Sequence, residues 1–236
     1  MPDAAAIVTA RNEADRLPAT LAALRRALPG APLLVADDGS SDATARVATE
    51  AGARVIATGE PIGKGGAATA AAETLLADVA GPEIVVLCDG DLGASAARLV
   101  ALVDAVAAGG CDLAVAAFAR RLGGGLGVAL GFARWVVRKR AGLALRAPIS
   151  GQRALRRQTL EATLPFAPGF GMEIAMTIDA ARAGFRVAEV ELDLEHRATG
   201  RTAAGFLHRA GQLRDFVRVY LSRGEGRRRQ TGRAPA

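Results

Sequence analysis

The stretch "VVLCDGDLG", residues 85 to 93, runs an apolar segment straight into two carboxylates, Asp89 and Asp91, one residue apart. Two like charges held that close repel and raise each other's pKa. A divalent cation relieves the conflict, because Mg²⁺ or Mn²⁺ takes hard oxygen ligands and shares them with substrate phosphates. Gly90 between the two lets the chain bend until both acids face one point. An Asp-Gly turn with solvated acids would spell the same letters. The position after a buried strand and beside an anion-binding loop favours the metal. That loop is "GKGGAA", residues 63 to 68. Its glycines let backbone N–H groups approach an anion at a helix N-terminus, and Lys64 adds a full charge. It is neither a dinucleotide fingerprint, since "GEPI" before it is no strand, nor a P-loop, since Gly66 stands where Ser or Thr should.

A third cluster, "DDGSSD" at 37 to 42, crowds Asp37, Asp38, Ser40 and Asp42 into one loop. Acids there can accept hydrogen bonds from a base N–H and from ribose hydroxyls. A nucleoside near Asp38, a diphosphate near Lys64 and a metal at Asp91 together describe a nucleotide-sugar. Departure of its nucleoside diphosphate calls for a Lewis acid on the developing charge.

These clusters need strands to carry them. Residues 4 to 9, "APLLVADD", "GARVIAT", "PEIVVLCDGD" and "CDLAVAAFA" read as strands separated by helical segments. The first of those helices places Leu17, Leu21, Leu24 and Leu28 on one stripe, with Pro18 in its first turn. Ser41 or Asp42 caps the next, and 95 to 108 forms another. Helices over 127 to 140, 172 to 183 and 203 to 222 and a strand over 185 to 194 follow. Alternation of continuous apolar strands with helices indicates an α/β chain with a mostly parallel sheet covered on both faces. Ligands of such sheets bind outside the carboxyl ends of the strands. Three polar clusters fall there, "ARNE" after the first strand, "DDGSSD" after the second and "DGD" after the fourth, and "GKGG" precedes a helix on the same side. Residues 1 to 222 read as one domain, and 223 to 236 as a basic, disordered tail.

Half of the 236 residues are apolar and only 4% are aromatic, which suits helices packed closely on a sheet and excludes a fibrous or disordered chain. No apolar run approaches the roughly 18 residues of a membrane span. The N-terminal segment carries acid where a signal peptide carries base, so a cytoplasmic protein is expected. Cys88 and Cys111 are too few for a disulfide framework and read as core. The net charge of +6 is unevenly placed: residues 120 to 157 hold ten Lys or Arg and no acid, and 197 to 236 hold ten Arg against Asp215 and Glu225. Such segments suggest an anionic partner.

Taken in order, "IVTARNEADRL", "LLVADDGSSDAT", "GKGGAATAAAE", "VVLCDGDLG", "SGQRALRR" and "PFAPGFGMEIAMTIDAARAGFRVAEVELDLEHR" resemble the GT-A-fold glycosyltransferases. The likeness is to family 2 and to the related glucosyl-3-phosphoglycerate synthases of family 81, over roughly residues 4 to 215. The resemblance implies that Ala10, Glu13 and Asp38 meet the nucleoside, Lys64 the base or diphosphate region, and Asp89, Gly90 and Asp91 the D-x-D position. Asp91 would be the direct ligand of Mg²⁺ or Mn²⁺, with His196 completing the metal site. His208, on the following helix, keeps a structural reading. Glu173 matches the place of an acid that deprotonates the acceptor in inverting enzymes, whereas the retaining family 81 enzymes have no secure base, so the stereochemical outcome stays open. Gly124, Gly125 and Arg153 are assigned to the acceptor. A uridine or guanosine diphosphate sugar is the expected donor, with UDP-glucose leading.

The expected acceptor carries a phosphate. Family 81 enzymes grip phosphoglycerate with a Gly-Gly-Arg-type loop, but here "RRLGGGLGVALG" has no arginine after its glycines. The apolar stretch "LGVALGFARWVV" with Arg138, Lys139 and Arg140 behind it resembles a helix lying on an anionic membrane. A polyprenyl phosphate met at the inner face of the membrane is therefore favoured over a small soluble phosphorylated acid. A nucleotidyltransferase would carry a glycine-rich loop after the first strand, where this chain has "ARNEAD". A nucleic-acid-binding module would interleave aromatics among its bases, yet Trp135 stands alone among those of 134 to 140. No nucleic-acid partner is expected. The oligomeric state is left open, a homodimer included.

Overall fold

A computed structural model of the chain describes residues 3–78, 81–118, 127–194 and 203–223, with the backbone alone described at Phe118 and over 203–212. Seven strands form one sheet: β1 (Ala4–Ala10), β2 (Leu33–Asp37), β3 (Arg54–Ala57), β4 (Ile84–Asp89), β5 (Leu113–Phe118), β6 (Arg153–Arg156) and β7 (Val187–Leu192). Their order is β3-β2-β1-β4-β6-β5-β7. All neighbours are parallel except β6, which runs antiparallel to both β4 and β5.

β1 lies between β2 and β4 and is buried along its whole length. Alternate residues serve opposite faces. Ala6 and Val8 meet the leucine stripe of α1 (Leu17–Ala27), while Ala5 and Ile7 meet α3 (Lys64–Leu76). The stripe is as the periodicity predicts: Leu17, Leu21, Leu24 and Leu28 are all buried, and Pro18 sits in the first turn. α3 presents Ala67, Ala68, Ala71 and Ala72 to the sheet, and these small side chains let helix and strands approach closely. α2 (Thr44–Glu50) covers the far edge, its first N–H donating to the Asp42 side chain at 2.9 Å. Both cysteines are buried, as expected.

The single helix expected over 95–108 is two pieces, a 3₁₀ segment at Gly93–Leu99 running into α4 (Val100–Ala107). In the second half, α5 (Val128–Ala141), α7 (Met172–Arg182) and α8 (Ala203–Ser222) lie close to their predicted spans. They share a core of their own, built from Val136, Val137, Ile174, Ile178, Phe216 and Val219. Arg223 is the first residue of the expected tail. Arg223 still bonds Asp179 through its guanidinium, at 2.8 Å from Nε to Oδ1. Residues beyond it lie outside the described ones.

β6 and the helix after it, α6 (Arg157–Thr163), had no signal in the periodicity. Two arginines disguise a strand whose Ala154 and Leu155 are core. Arg153 is 0% exposed, so the acceptor-binding role expected of it is corrected to a structural one. Its guanidinium donates to Ser150 O at 2.8 Å, Pro148 O at 2.9 Å and Thr177 Oγ1 at 2.9 Å. Burial pushes its pKa down to about 10, opposed by the nearby Glu173 charge, so it remains a cation at neutral pH. It ties the 148–152 loop to α7. Arg153→Leu strands two carbonyls in the interior and should lower stability by roughly 2–4 kcal/mol in urea unfolding. A loss under about 0.5 kcal/mol, the scale of an ordinary surface change, would contradict this anchoring role.

Candidate active site

The parallel registers of β1, β2 and β4 align their carboxyl ends, with Ala10 opposite Asp37 and Thr9 opposite Asp89. The three polar clusters therefore emerge side by side. The loop after β1 turns at Asn12, whose φ of +56° is left-handed and suits asparagine. That turn is stitched to the loop after β2. Asn12 N–H donates to Ser40 Oγ at 3.0 Å, Ser41 N–H to Asn12 Oδ1 at 2.9 Å, and Glu13 N–H to Thr44 Oγ1 at 2.9 Å. Asp42 holds Ala14 N–H at 3.2 Å, and the Thr44 hydroxyl keeps its carboxyl below the usual range. Asp37 accepts from the Ser40 hydroxyl and N–H. Asp38 is buried, and its Oδ1 accepts from Ile62 N–H at 2.7 Å and Gly63 N–H at 2.9 Å. Asp38 thus builds the glycine loop before it can serve a nucleoside.

Gly63, with φ +87°, turns that loop into α3 and delivers Lys64 to the centre of the site. The Lys64 ammonium lies 2.6 Å from Asp89 Oδ1 and 2.8 Å from Glu173 Oε1, with its side chain only 28% exposed. Thr9 Oγ1 donates to Asp89 Oδ1 at 3.2 Å and Gln152 Nε2 to Asp89 Oδ2 at 3.0 Å. Burial works to raise the Asp89 carboxyl, but the Lys64 charge with these hydrogen bonds more than reverses it, and the pKa is lowered. Burial likewise works against the Lys64 cation, and the two carboxylates overcome it and raise its pKa. Around this cluster the backbone comes very close. A Cβ at Gly151 would stand 2.6 Å from Lys64 Nζ and 2.7 Å from Asp89 Oδ2, and one at Gly65 would strike the Ala167 carbonyl.

Asp89 and Asp91 therefore do not act as the equal pair that the spacing suggests. Asp89 is committed to Lys64. Asp91 is half-buried on the next turn, which is held from α1: Thr20 donates to Gly90 O and accepts from Gly93 N–H, both at 2.8 Å, and Arg16 donates to Asp91 O at 3.3 Å. Gly90 N–H donates to Thr9 O at 2.9 Å, and its bare Cα rests against Ala10. No cluster of three His, Cys, Asp or Glu among the described residues could hold a metal alone. A hard carboxylate at Asp91 nonetheless fits Mg²⁺ or Mn²⁺ shared with diphosphate oxygens, the usual arrangement for such ions. His196, Gly124 and Gly125 lie outside the described residues, as does the His208 side chain.

The structure thus brings Ala10, Asp38, Lys64, Asp89, Gly90 and Glu173 together, with Asp91 half-buried on the turn beside them. Sequence reasoning missed Thr20, Gln152 and Gly151. Thr20 carried a signal, a polar residue on the buried face of a leucine stripe. Gln152 and Gly151 lie inside "SGQRALRR", where arginines drew the eye.

The model of glycosyl transferase family 2 matches residues 5–163, more than half of the chain. The chain belongs to glycosyl transferase family 2. The transferase is 32% identical to an undecaprenyl-phosphate mannosyltransferase of Micrococcus luteus, over 83% of this chain and 85% of that one. It is 30% identical to a polyprenol monophosphomannose synthase of Mycolicibacterium smegmatis, over 82% and 78%. Among solved structures it is similar to glucosyl-3-phosphoglycerate synthase from Mycobacterium tuberculosis in complex with Mn²⁺, UDP-glucose and phosphoglyceric acid. That similarity has a TM-score of 0.74 at 27% identity, over 94% of this chain and 79% of that one. The expected GT-A fold, family and enzyme class are borne out, and the nucleotidyltransferase and nucleic-acid readings fall away.

The Lys64 cluster has a pH signature. Asp89, with its pKa lowered on folding, stabilises the native state above about pH 4, and this is lost as pH falls through the folded value. Lys64, with its pKa raised, stabilises below about pH 10, and this is lost as pH rises through the folded value. In Lys64→Met burial of Asp89 is left unbalanced and the sign reverses. The variant should be less stable at pH 7 by roughly 2–3 kcal/mol, discounted for partial exposure, and regain part of this as pH falls toward 4. Urea unfolding from pH 4 to 7 checks it, and parallel curves for the two proteins would refute the coupling.

Proposed function

We propose that the transferase moves a hexose from a nucleoside diphosphate sugar to the phosphate of a polyprenyl phosphate, in the presence of Mg²⁺ or Mn²⁺. The observation that carries the acceptor is the engagement of Glu173. Transfer to a hydroxyl calls for a base at that hydroxyl. Glu173, the acid placed for that work, is buried and bonded to Lys64 at 2.8 Å. A phosphate monoester, with a second pKa of about 6, is already an anion at neutral pH and needs no such base. Glu173 then positions Lys64 and deprotonates nothing. The two relatives at 30% identity or above support this, since both are named for polyprenyl-linked acceptors or products.

On the donor side, Ala10, Glu13 and the Asp38 loop would hold the nucleoside, and Lys64 would face the diphosphate. Asp91 would hold the cation, with His196 as the second ligand the family resemblance supplies. When bound, the cation takes up the negative charge that develops on the departing diphosphate. UDP-glucose leads as donor because the neighbouring synthase was crystallised with it, while the curated relatives carry mannose in their names. That same synthase favours a second acceptor reading, a small soluble phosphorylated acid such as phosphoglycerate. A polyprenyl phosphate is met at a membrane, which places the enzyme in the cytoplasm against its inner face.

Two measurements test the proposal. Asp91→Ala should lose at least about 100-fold in Mn²⁺-dependent turnover while melting normally, and full activity of the variant in EDTA would remove Asp91 from the metal site. In the second, glucose and mannose are each offered as uridine and guanosine diphosphates, with a short-chain polyprenyl phosphate or 3-phosphoglycerate as acceptor. Transfer to the former alone is expected. Transfer only to phosphoglycerate would overturn the lipid reading.

A further inference from the structure

Away from the site above, one surface stands out. α5 and α8 lie side by side, and their outward faces are only partly covered. On α8, Leu213, Val217 and Leu221 recur every four residues and all face solvent, Leu221 with 69% of its surface exposed. On α5, Val128 is 62% and Trp135 46% exposed. The two rows are joined by an aromatic bridge: Trp135 stacks on Phe132 with centroids 5.6 Å apart and meets Tyr220 of α8 at 4.9 Å. The apolar strip therefore continues from one helix to the next. The stretch "LGVALGFARWVV" is divided by the fold, with Ala133, Val136 and Val137 packed into the core and Val128 and Trp135 left outside.

Cations border this strip. Arg134, Arg138 and Lys139 are exposed on α5, and Arg140 lies over the Tyr220 ring at 3.8 Å. Arg214 and Arg218 follow on α8, where buried Asp215 pairs with both. α5 carries no acid at all, and Asp215 is the sole acid in α8. A stable monomer rarely leaves a contiguous apolar strip in water. The charge decides what covers it. A second copy docked about a two-fold axis would set these cations on themselves, whereas an anionic bilayer complements them. Tryptophan and tyrosine favour the interfacial zone, and long basic side chains reach from it to headgroups.

We propose that the α5–α8 face is a docking surface for an anionic lipid membrane, with Trp135 and Leu221 in the interfacial region and Arg138 and Lys139 on lipid headgroups. The proposal deepens the polyprenyl phosphate reading and rests on it for its biological sense. The face is also linked to the site. Asp215 accepts from Phe170 N–H at 3.2 Å beside Gly169, and Gly169 approaches the loop glycine Gly63. Docking would bring a lipid surface near the glycine loop without involving any group assigned to donor binding.

The experiment needs neither donor nor acceptor. Vesicles of phosphatidylglycerol and phosphatidylcholine, and of phosphatidylcholine alone, are mixed with the full chain at low and high salt and sedimented. Binding is expected to the anionic vesicles at low salt, and to be lost at high salt and with phosphatidylcholine alone. Trp135 is the only tryptophan, so its emission should shift to the blue on binding. The double variant Arg138→Gln/Lys139→Gln, on exposed positions that leave folding intact, should bind roughly 30-fold more weakly. Leu221→Ser should bind more weakly too, and both variants should transfer sugar to a water-soluble short-chain acceptor as the unmodified chain does. A protein that stays in the supernatant, or binds with unchanged Trp135 emission and no effect of the variants, overturns the proposal. So does a dimer in solution that Trp135→Ala dissociates. Vesicle binding without transfer to any polyprenyl phosphate would leave the surface standing and remove the acceptor reading. Transfer to the short-chain acceptor without vesicle binding would do the reverse.

Discussion

One lysine ammonium, held between two carboxylates from distant parts of the chain, sets the geometry of this site. Lys64 begins α3, Asp89 ends β4 and Glu173 opens α7, so their contacts fix three elements relative to one another. Such a cluster contributes less to stability than its short distances suggest, because each charge has given up water. Its effect is on register. Rotating α3 by one residue would withdraw the ammonium and leave Asp89 and Glu173 as unpaired, poorly hydrated charges. Neighbouring glycines follow from the same constraint. Gly151 passes where any side chain would collide with the ion pair, and Gly65 lets the first turn of α3 rest on the Ala167 carbonyl.

The loops around that cluster are held by one another more than by the core. Asp38 takes two amides of the glycine loop, Asn12 and Thr44 join the first loop to the second, and Thr20 reaches from α1 to both sides of Asp91. Positions that bind substrate need to be preorganised, since ordering a loose loop would consume binding energy. Here much of that ordering is complete within the protein. Several acids that look available for a nucleotide in the sequence are thus partly used in holding the loops that would surround it.

That double use explains what could and could not be read from the letters. Strands were legible because Ile7, Val35 and Val86 lie in continuous apolar runs, and α1 because its leucines recur at helical spacing. The three clusters converged as the carboxyl-end rule requires. β6 was not legible, since Arg153 and Arg156 spell a surface segment while the fold buries the first beneath α7. Asp89 and Asp91 looked equivalent because spacing is symmetric between them. Register is not, and it turns Asp89 toward Lys64, 25 positions earlier in the chain. No local pattern announces a partner that far away. Thr20 shows the opposite case: a hydroxyl on the buried face of a leucine stripe must find a partner, and it found the backbone on either side of Asp91.

The charges of the cluster also bear on what the site can accept. Lys64 neutralises one of its two carboxylates, and buried Arg153 sits behind the other, close enough for its pKa to feel Glu173. Lys64, Arg153, Asp89 and Glu173 are then balanced among themselves, and Asp91 is a further carboxylate on the next turn. A site lined by unbalanced acids would repel a diphosphate, and one lined by unbalanced bases would hold the product too well. A carboxylate at Asp91 is suited to a cation shared with the diphosphate, because such ions keep few protein ligands and take the rest from phosphate oxygens. On this argument Lys64 has its main effect through Asp89. It takes up the charge of a carboxylate that would otherwise face the substrate, and in the proposed site the cation falls to Asp91.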